Sequence, residues 1–229
     1  SKAIELLNAH QDQPFFLAVG LVRPHYPMVA PREYFTPYPW EQMQLPAQQT
    51  GDLDDIPKLG QAKLITSKSP IGKHPDNQKR MWSGYYASVT FMDEQVGRII
   101  NELDRLGLRD STAIVFTSDH GYHLGEHDFW AKVSLHDESA RVPLIIKVPG
   151  KPAGVCHSLT ELIDLYPTVS SLCRLPVSQR LQGKDISPML DDPSHSVRTA
   201  AFSVAPMQKG FLLRSDDWAY IQYGEDGKQ

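Results

Sequence analysis

The sequence is poor in the features that most quickly place a protein. It has two cysteines, Cys156 and Cys173, in 229 residues. Two thiols make neither a disulfide framework nor a four-cysteine zinc site, and each reads by default as a small buried hydrophobe. No apolar run approaches the ~20 residues that a membrane helix needs. No charged-then-apolar leader opens the chain. The net charge is -4, so no global basic field points to nucleic acid or to an anionic membrane. No internal repeat is visible. What remains is an ordinary globular composition, 41% hydrophobic and 22% charged.

The hydrophobic pattern alternates between strand and helix. "SKAIELLNAH" reads as a short amphipathic helix capped by Ser1. "FFLAVG" (15–20) is a continuous apolar run, predicted to be a strand buried on both faces. It empties into "LVRPHYPMVAP", whose prolines leave a stiff extended loop. From 38 to 77 no periodicity is seen, which predicts an irregular insertion. Met81, Trp82, Tyr85, Val89, Met92, Val96, Ile99, Leu103 and Leu106 then follow the spacing of one helical stripe. They predict a long helix over roughly 76–106, with the stripe in the core and Gly107 as its C-terminal cap. The strands "TAIVFTS" and "VPLIIKV", a helix in "LTELIDLYPTVSSLCRL" and a strand-rich tail turning at 215–217 complete the chain. Alternating strands and helices predict an α/β fold with a mostly parallel sheet, plus a small antiparallel C-terminal hairpin.

One stretch carries the chemistry, "AIVFTSDHGYHLGEHDFWAK" (113–132). A buried strand ends at Asp119 and His120, and in open α/β sheets ligands sit beyond such strand ends. A carboxylate beside an imidazole suits a divalent metal ion. The alternative is local: Asp119 caps the following turn and His120 donates to a carbonyl. Gly121 is expected to let the chain leave the strand sharply. His120, His123 and His127 admit a zinc reading too, although Gly121 and Gly125 interrupt the helix it requires. Lys132 after Trp130, and His25 on the proline-stiffened loop, could face an oxyanion. Taken singly, each reads as a solvated surface residue.

In order, these segments resemble the sulfatases of the alkaline phosphatase superfamily. "RPHYP", "TSDHG", "LGEH", "WAK", "RVPLI" and "DLYPTV" carry the resemblance, which runs over nearly the whole chain and is closest to the iduronate-2-sulfatase group. It implies an α/β/α sandwich. It implies that Asp119 and His120 are ligands of an active-site calcium ion, and that Lys132 and His25 hold the sulfate. His123, His127 and Trp130 fall where residues facing the substrate are expected. The implied activity is removal of sulfate from a sulfated sugar such as iduronate 2-sulfate of a glycosaminoglycan. The alternatives are a phosphodiesterase or phosphonate monoester hydrolase of the same superfamily, and a non-catalytic module that binds sulfated glycans.

Sulfatases use a formylglycine formed within Cys(or Ser)-x-Pro-x-Arg, and neither cysteine here fits. "CRLPV" after Cys173 places proline one position late and lacks the arginine, and "CHSLT" lacks both. The two acidic metal ligands of the family's N-terminal part have no counterpart either, since "DLDD" (52–55) follows no strand. The expectation is a C-terminal portion of the catalytic domain over 1–195, with 196–229 beginning a small antiparallel subdomain. Formylglycine and the remaining ligands would then belong to an N-terminal half, and this chain alone would be inactive. No nucleic-acid partner or membrane span is expected. The residues name no compartment, although family members are often exported.

Overall fold

The computed structural model describes residues 1–61, 71, 74–205 and 210–224. The chain divides into two compact units. One comprises Ser1–Thr50, Lys63–Ala113 and Leu124–Trp130, and the other Gly51–Ala62, Ile114–His123 and Ala131–Gln229.

The first unit is built on two helices, α1 (Lys2–His10) and α2 (Pro75–Arg105). Asn8 joins them: its Nδ2 donates to Glu102 Oε1 at 2.5 Å, and Arg105 donates to its Oδ1 at 2.7 Å. Hydrogen bonds from Arg105 and Asn8 hold the Glu102 carboxyl down at about 2. As predicted, α2 ends at Gly107, which has φ +68°. Leu108 N donates to Leu103 O and Gly107 N to Asp104 O, which is the hydrogen-bond pair of a Schellman cap.

The core face of α2 differs from the predicted stripe. Leu103 is buried, but the other stripe residues are only half-buried. The tightest packing lies along Ser83, Gly84, Ala87 and Ser88. Ser83 Oγ donates to Tyr38 O at 2.6 Å, and a Cβ on Gly84 would come within 3.2 Å of Met28 Cβ. Small residues let the backbone of the proline-rich segment approach the helix closely, which hydrophobic periodicity does not report. Two 3₁₀ turns, Arg32–Phe35 and Trp40–Gln42, lie on α2. Tyr34 meets Phe91 edge-on, and the Arg80 guanidinium covers the Trp40 ring at 3.9 Å. Apart from Trp40–Gln42, the described residues of the predicted insertion between 38 and 61 form neither helix nor strand; 62–70 and 72–73 lie outside the described residues.

The predicted strand at 15–20 is not formed. Those residues take no helix or strand, and Phe16 is 81% exposed. A strand needs a neighbour to take its backbone N–H and C=O groups, and no described strand pairs with it.

The second unit contains β1 (Ile114–Thr117) and β4 (Leu144–Lys147), the strands predicted from "TAIVFTS" and "VPLIIKV". They pair antiparallel, with Ile114 opposite Lys147 and Thr117 opposite Leu144. The architecture is thus mixed α/β, and the mostly parallel sheet does not appear among the described residues. The reason lies in the connection. Residues 118–143 leave β1 and re-enter β4 at the same end, whereas a parallel pair needs a crossover back to the opposite end.

Between these strands come β2 (His123–Leu124), β3 (Trp130–Ala131) and one turn of helix, α3 (Asp137–Ala140). A 3₁₀ turn (Leu162–Asp164) runs into α4 (Leu165–Leu172), with Pro167 buried in its first turn. The tail forms β5 (Ala201–Val204), β6 (Gly210–Arg214) and β7 (Ala219–Tyr223), an antiparallel sheet of three strands. As predicted, 215–217 joins the last two. Residues 206–209 and 225–229 lie outside the described residues.

An ion cluster fixes the start of this tail. Glu161 and Asp164 cap the 3₁₀ turn reciprocally. Asp164, fully buried, accepts Arg198 on both oxygens as well as the backbone N–H groups of Lys184 and Glu161. Burial alone would raise the Asp164 pKa. The Arg198 guanidinium and the two N–H groups outweigh burial and hold it below the ordinary carboxylate value. Glu161 Oε1 also accepts Phe202 N at 2.7 Å, so the cluster clamps β5 to the start of α4. No described helix is long and apolar enough to cross a membrane.

Candidate active site

Asp119 and His120 stand at the end of β1, where the sequence placed them. Asp119 caps locally: its Oδ1 accepts the His120 N–H at 3.0 Å and lies 3.5 Å from Ser118 Oγ. His120 Nδ1 lies 2.8 Å from Gly121 O. The local roles weighed as an alternative are therefore present, and they are compatible with a functional one. A ring whose Nδ1–H is spent on a carbonyl presents Nε2 as its lone-pair atom, the usual arrangement of a metal-binding histidine. Lys132 agrees with that tautomer, since its ammonium lies 3.2 Å from His120 Nε2 and donates to it. Asp119 Oδ2 lies 3.6 Å from the same nitrogen. An anionic oxygen and an imidazole lone pair thus converge with a cation already among them. The Asp119 side chain is 85% exposed, so the cluster is open to a solute. This donor set fits a divalent metal ion as part of a larger coordination sphere once Lys132 gives up His120 Nε2, whose single lone pair serves one partner at a time.

Gly121 works by close approach, not by an unusual turn. Its N–H donates to Ser139 O at 2.8 Å, and a Cβ there would lie 2.0 Å from Glu138 O. The β1 exit therefore lies directly on α3.

The segment after Gly121 holds what sequence reading missed. Four non-glycine residues in 127–133 have left-handed backbone: His127 (φ 55°), Asp128 (56°), Ala131 (73°) and Val133 (78°). Such residues cost about 1–3 kcal/mol each and persist only where the surroundings fix them. The β-branched Val133 is the most unusual of them. Histidine and aspartate tolerate this region, so 127 and 128 carried a weak signal; Ala131 and Val133 carried none. His123 is 1% exposed, and its Nε2 lies 2.6 Å from Ser134 Oγ. Ser134 also accepts the His136 N–H at 3.3 Å. Nothing in the sequence singles out Ser134, because it pairs through a fold contact.

The remaining candidates have the following places. Trp130 is 3% exposed, and a Cβ on Gly125 (φ +113°) would lie 3.1 Å from its ring. His127 is half-buried, its ring centroid 6.3 Å from that of Phe129. His25 is exposed in the proline loop, which has cis bonds at Arg23–Pro24 and Tyr26–Pro27. Its Nδ1 lies 2.5 Å from Tyr26 O, and Arg23 donates to His25 O and Pro27 O at 3.1 Å. Asp119, His120, His123 and Lys132 belong to one unit, and His25, His127 and Trp130 to the other.

Residues 1–174 match the family described as Sulfatase. The chain belongs to the sulfatase family. Residues 125–224 also match the C-terminal region of N-sulphoglucosamine sulphohydrolase. Among curated sulfatases, one from Formosa agariphila is 33% identical over 230 residues, covering 99% of this chain and 45% of its own length. Human iduronate 2-sulfatase is 35% identical over 218 residues, covering 78% of this chain and 40% of its own. The chain thus spans less than half the length of these relatives. Among solved structures, the phosphonate monoester hydrolase of Agrobacterium radiobacter superposes with a TM-score of 0.81 at 25% identity, over 96% of this chain and 50% of that one. A structure solved with its substrate D-glucosamine-2-N,6-O-disulfate superposes with a TM-score of 0.57 at 30% identity, over 66% of this chain and 33% of that one. The sulfatase resemblance read from "TSDHG", "LGEH" and "WAK" is thereby borne out, together with its iduronate-2-sulfatase affinity.

Proposed function

We propose that this chain supplies part of the active site of a sulfuric ester hydrolase acting on a sulfated sugar, such as iduronate 2-sulfate of a glycosaminoglycan. The observation that carries the reading is the set Asp119, His120 and Lys132, joined by 3.6 Å and 3.2 Å contacts at His120 Nε2. Membership of the sulfatase family supports it. Asp119 and His120 would hold a calcium ion, with Lys132 turned from His120 Nε2 toward the substrate, and the ion would supply Lewis-acid polarisation of the sulfate oxygens. Gly121 O keeps the His120 proton on Nδ1. Lys132 presents its ammonium to a sulfate oxygen. As the S–O bond breaks, its electron pair goes to the leaving oxygen and negative charge grows there, so a fixed ammonium within reach of that oxygen gains interaction energy along the path. His25 supplies a second donor, His127 and Trp130 shape the substrate side, and the buried His123 acts from behind it. The nucleophile is a formylglycine outside these residues, since neither Cys156 nor Cys173 stands in the required motif, and an N-terminal half completes the site. The catalytic portion runs to about residue 195, and 196–229 begins a small antiparallel subdomain.

The likeness to the phosphonate monoester hydrolase favours one rival, hydrolysis of a phosphonate monoester. The whole protein is assayed on 4-methylumbelliferyl sulfate and on a phenyl phosphonate monoester, with intact-mass analysis for formylglycine. Faster sulfate turnover with a formylglycine mass is the expected result. Preference for the phosphonate overturns the sulfatase reading.

A further inference from the structure

Lys132 is held in an unusual way. The residues on either side of it, Ala131 (φ 73°) and Val133 (φ 78°), are both left-handed and neither is glycine. Left to itself, such a segment relaxes toward ordinary backbone, and the ammonium at its centre swings with it. The pairing of β3 with β2 holds one side of it, and contacts beyond Val133 hold the other. Two residues after Lys132, Ser134 Oγ meets the ring of His123 at 2.6 Å, and the next side chain, Leu135, is 3% exposed. His123 lies three residues after His120 and is itself 1% exposed. The contacts therefore close a ring: backbone from His120 to His123, side chain to Ser134, backbone to Lys132, and Lys132 Nζ back to His120 Nε2 at 3.2 Å. All four residues lie in one unit.

We infer that the His123–Ser134 hydrogen bond is a latch that positions Lys132 at the Asp119–His120 end of β1. On this account His123 and Ser134 are positioning residues that act on the sulfate only through Lys132. The inference rests on the proposed role of Lys132 and adds to it. A buried histidine satisfied by a serine could instead be plain packing, and the two accounts separate in a double-mutant cycle.

The cycle is run in the whole protein with 4-methylumbelliferyl sulfate. Ser134→Ala is expected to lower kcat about 10- to 100-fold, the order of loss that misplacing a catalytic group by an ångström produces. KM should change far less, and Ser134→Thr, which keeps the hydroxyl, should restore most of the loss. In the Lys132→Ala background, Ser134→Ala should cost nothing further. An equal loss in both backgrounds overturns the latch and leaves the role of Lys132 standing. A Lys132→Ala variant as active as the parent overturns the sulfate reading, and the latch with it.

A second readout is independent of turnover. In the whole protein, trace acetylation with acetic anhydride, followed by mass spectrometry, compares Lys132 with the other lysines. Severalfold faster labelling of Lys132 in Ser134→Ala and in His123→Gln supports the latch. Labelling unchanged in both overturns it.

Discussion

His120 Nε2 accepts the Lys132 ammonium at 3.2 Å while its Nδ1 stays engaged with Gly121 O. Lys132 thus rests on the lone pair that a metal ion would take, and this pair sets the sharpest test. In the whole enzyme, Lys132→Ala should lower kcat by about 10² to 10³, the cost of removing one preorganised donor. A half-buried lysine contributes little to the core, so the thermal midpoint should hold. Steady-state kinetics and calorimetry on the purified variant check both. Parent-like turnover removes Lys132 from the site.

Metal binding gives the second test. Calcium takes 6–8 oxygen ligands, and Asp119 with His120 supplies only part of that. Titration calorimetry on the 229-residue chain should show weak binding, lost in Asp119→Asn. Tight binding to this chain, or binding indifferent to Asp119, contradicts the assignment.

A third prediction concerns Gly121. A methyl group there would lie 2.0 Å from Glu138 O, a backbone atom that cannot swing aside. Gly121→Ala should force the β1 exit away from α3 and destabilise by about 1–3 kcal/mol, as overpacking does. Urea unfolding reads that loss as a lower midpoint. A midpoint equal to the parent's refutes the close approach.

The fourth prediction is a pH dependence. Arg198 and two backbone N–H groups keep the buried Asp164 pKa below its unfolded value despite burial. A depressed carboxylate contributes stability that is present above the unfolded pKa, about 3.9, and lost as pH falls through the folded one. Unfolding free energy should therefore fall as pH drops below about 4. Arg198→Met removes the partner of a buried charge, so it should cost about 3–5 kcal/mol at neutral pH and flatten the acid slope. An acid slope that Arg198→Met leaves unchanged assigns it to other groups.

Where local pattern and contact agree, the sequence was legible. The run "AIVFTS", the Gly107 cap and the tail turn needed only neighbouring residues. The ordered motifs around Asp119, His120 and Lys132 identified the family before any contact was known. Other features depend on partners distant along the chain. The run at 15–20 has the composition of a strand but no described strand beside it. Gly121 looked like a hinge and is a contact with α3. Ser134 and Arg198 are commonplace residues whose partners lie 11 and 34 positions away. Left-handed Val133 contradicts local preference, and no local rule predicts it.

Because Thr117 and Leu144 are register partners, residues 118–143 form a single excursion with both feet on one rung. Closing such a loop costs entropy that grows only with the logarithm of its length, about 0.6 kcal/mol for each doubling. The rung therefore bears almost the same load whether the excursion is short or long. Chain can be inserted into the excursion while β1 and β4 stay in register, provided the ring through His120, His123, Ser134 and Lys132 stays closed.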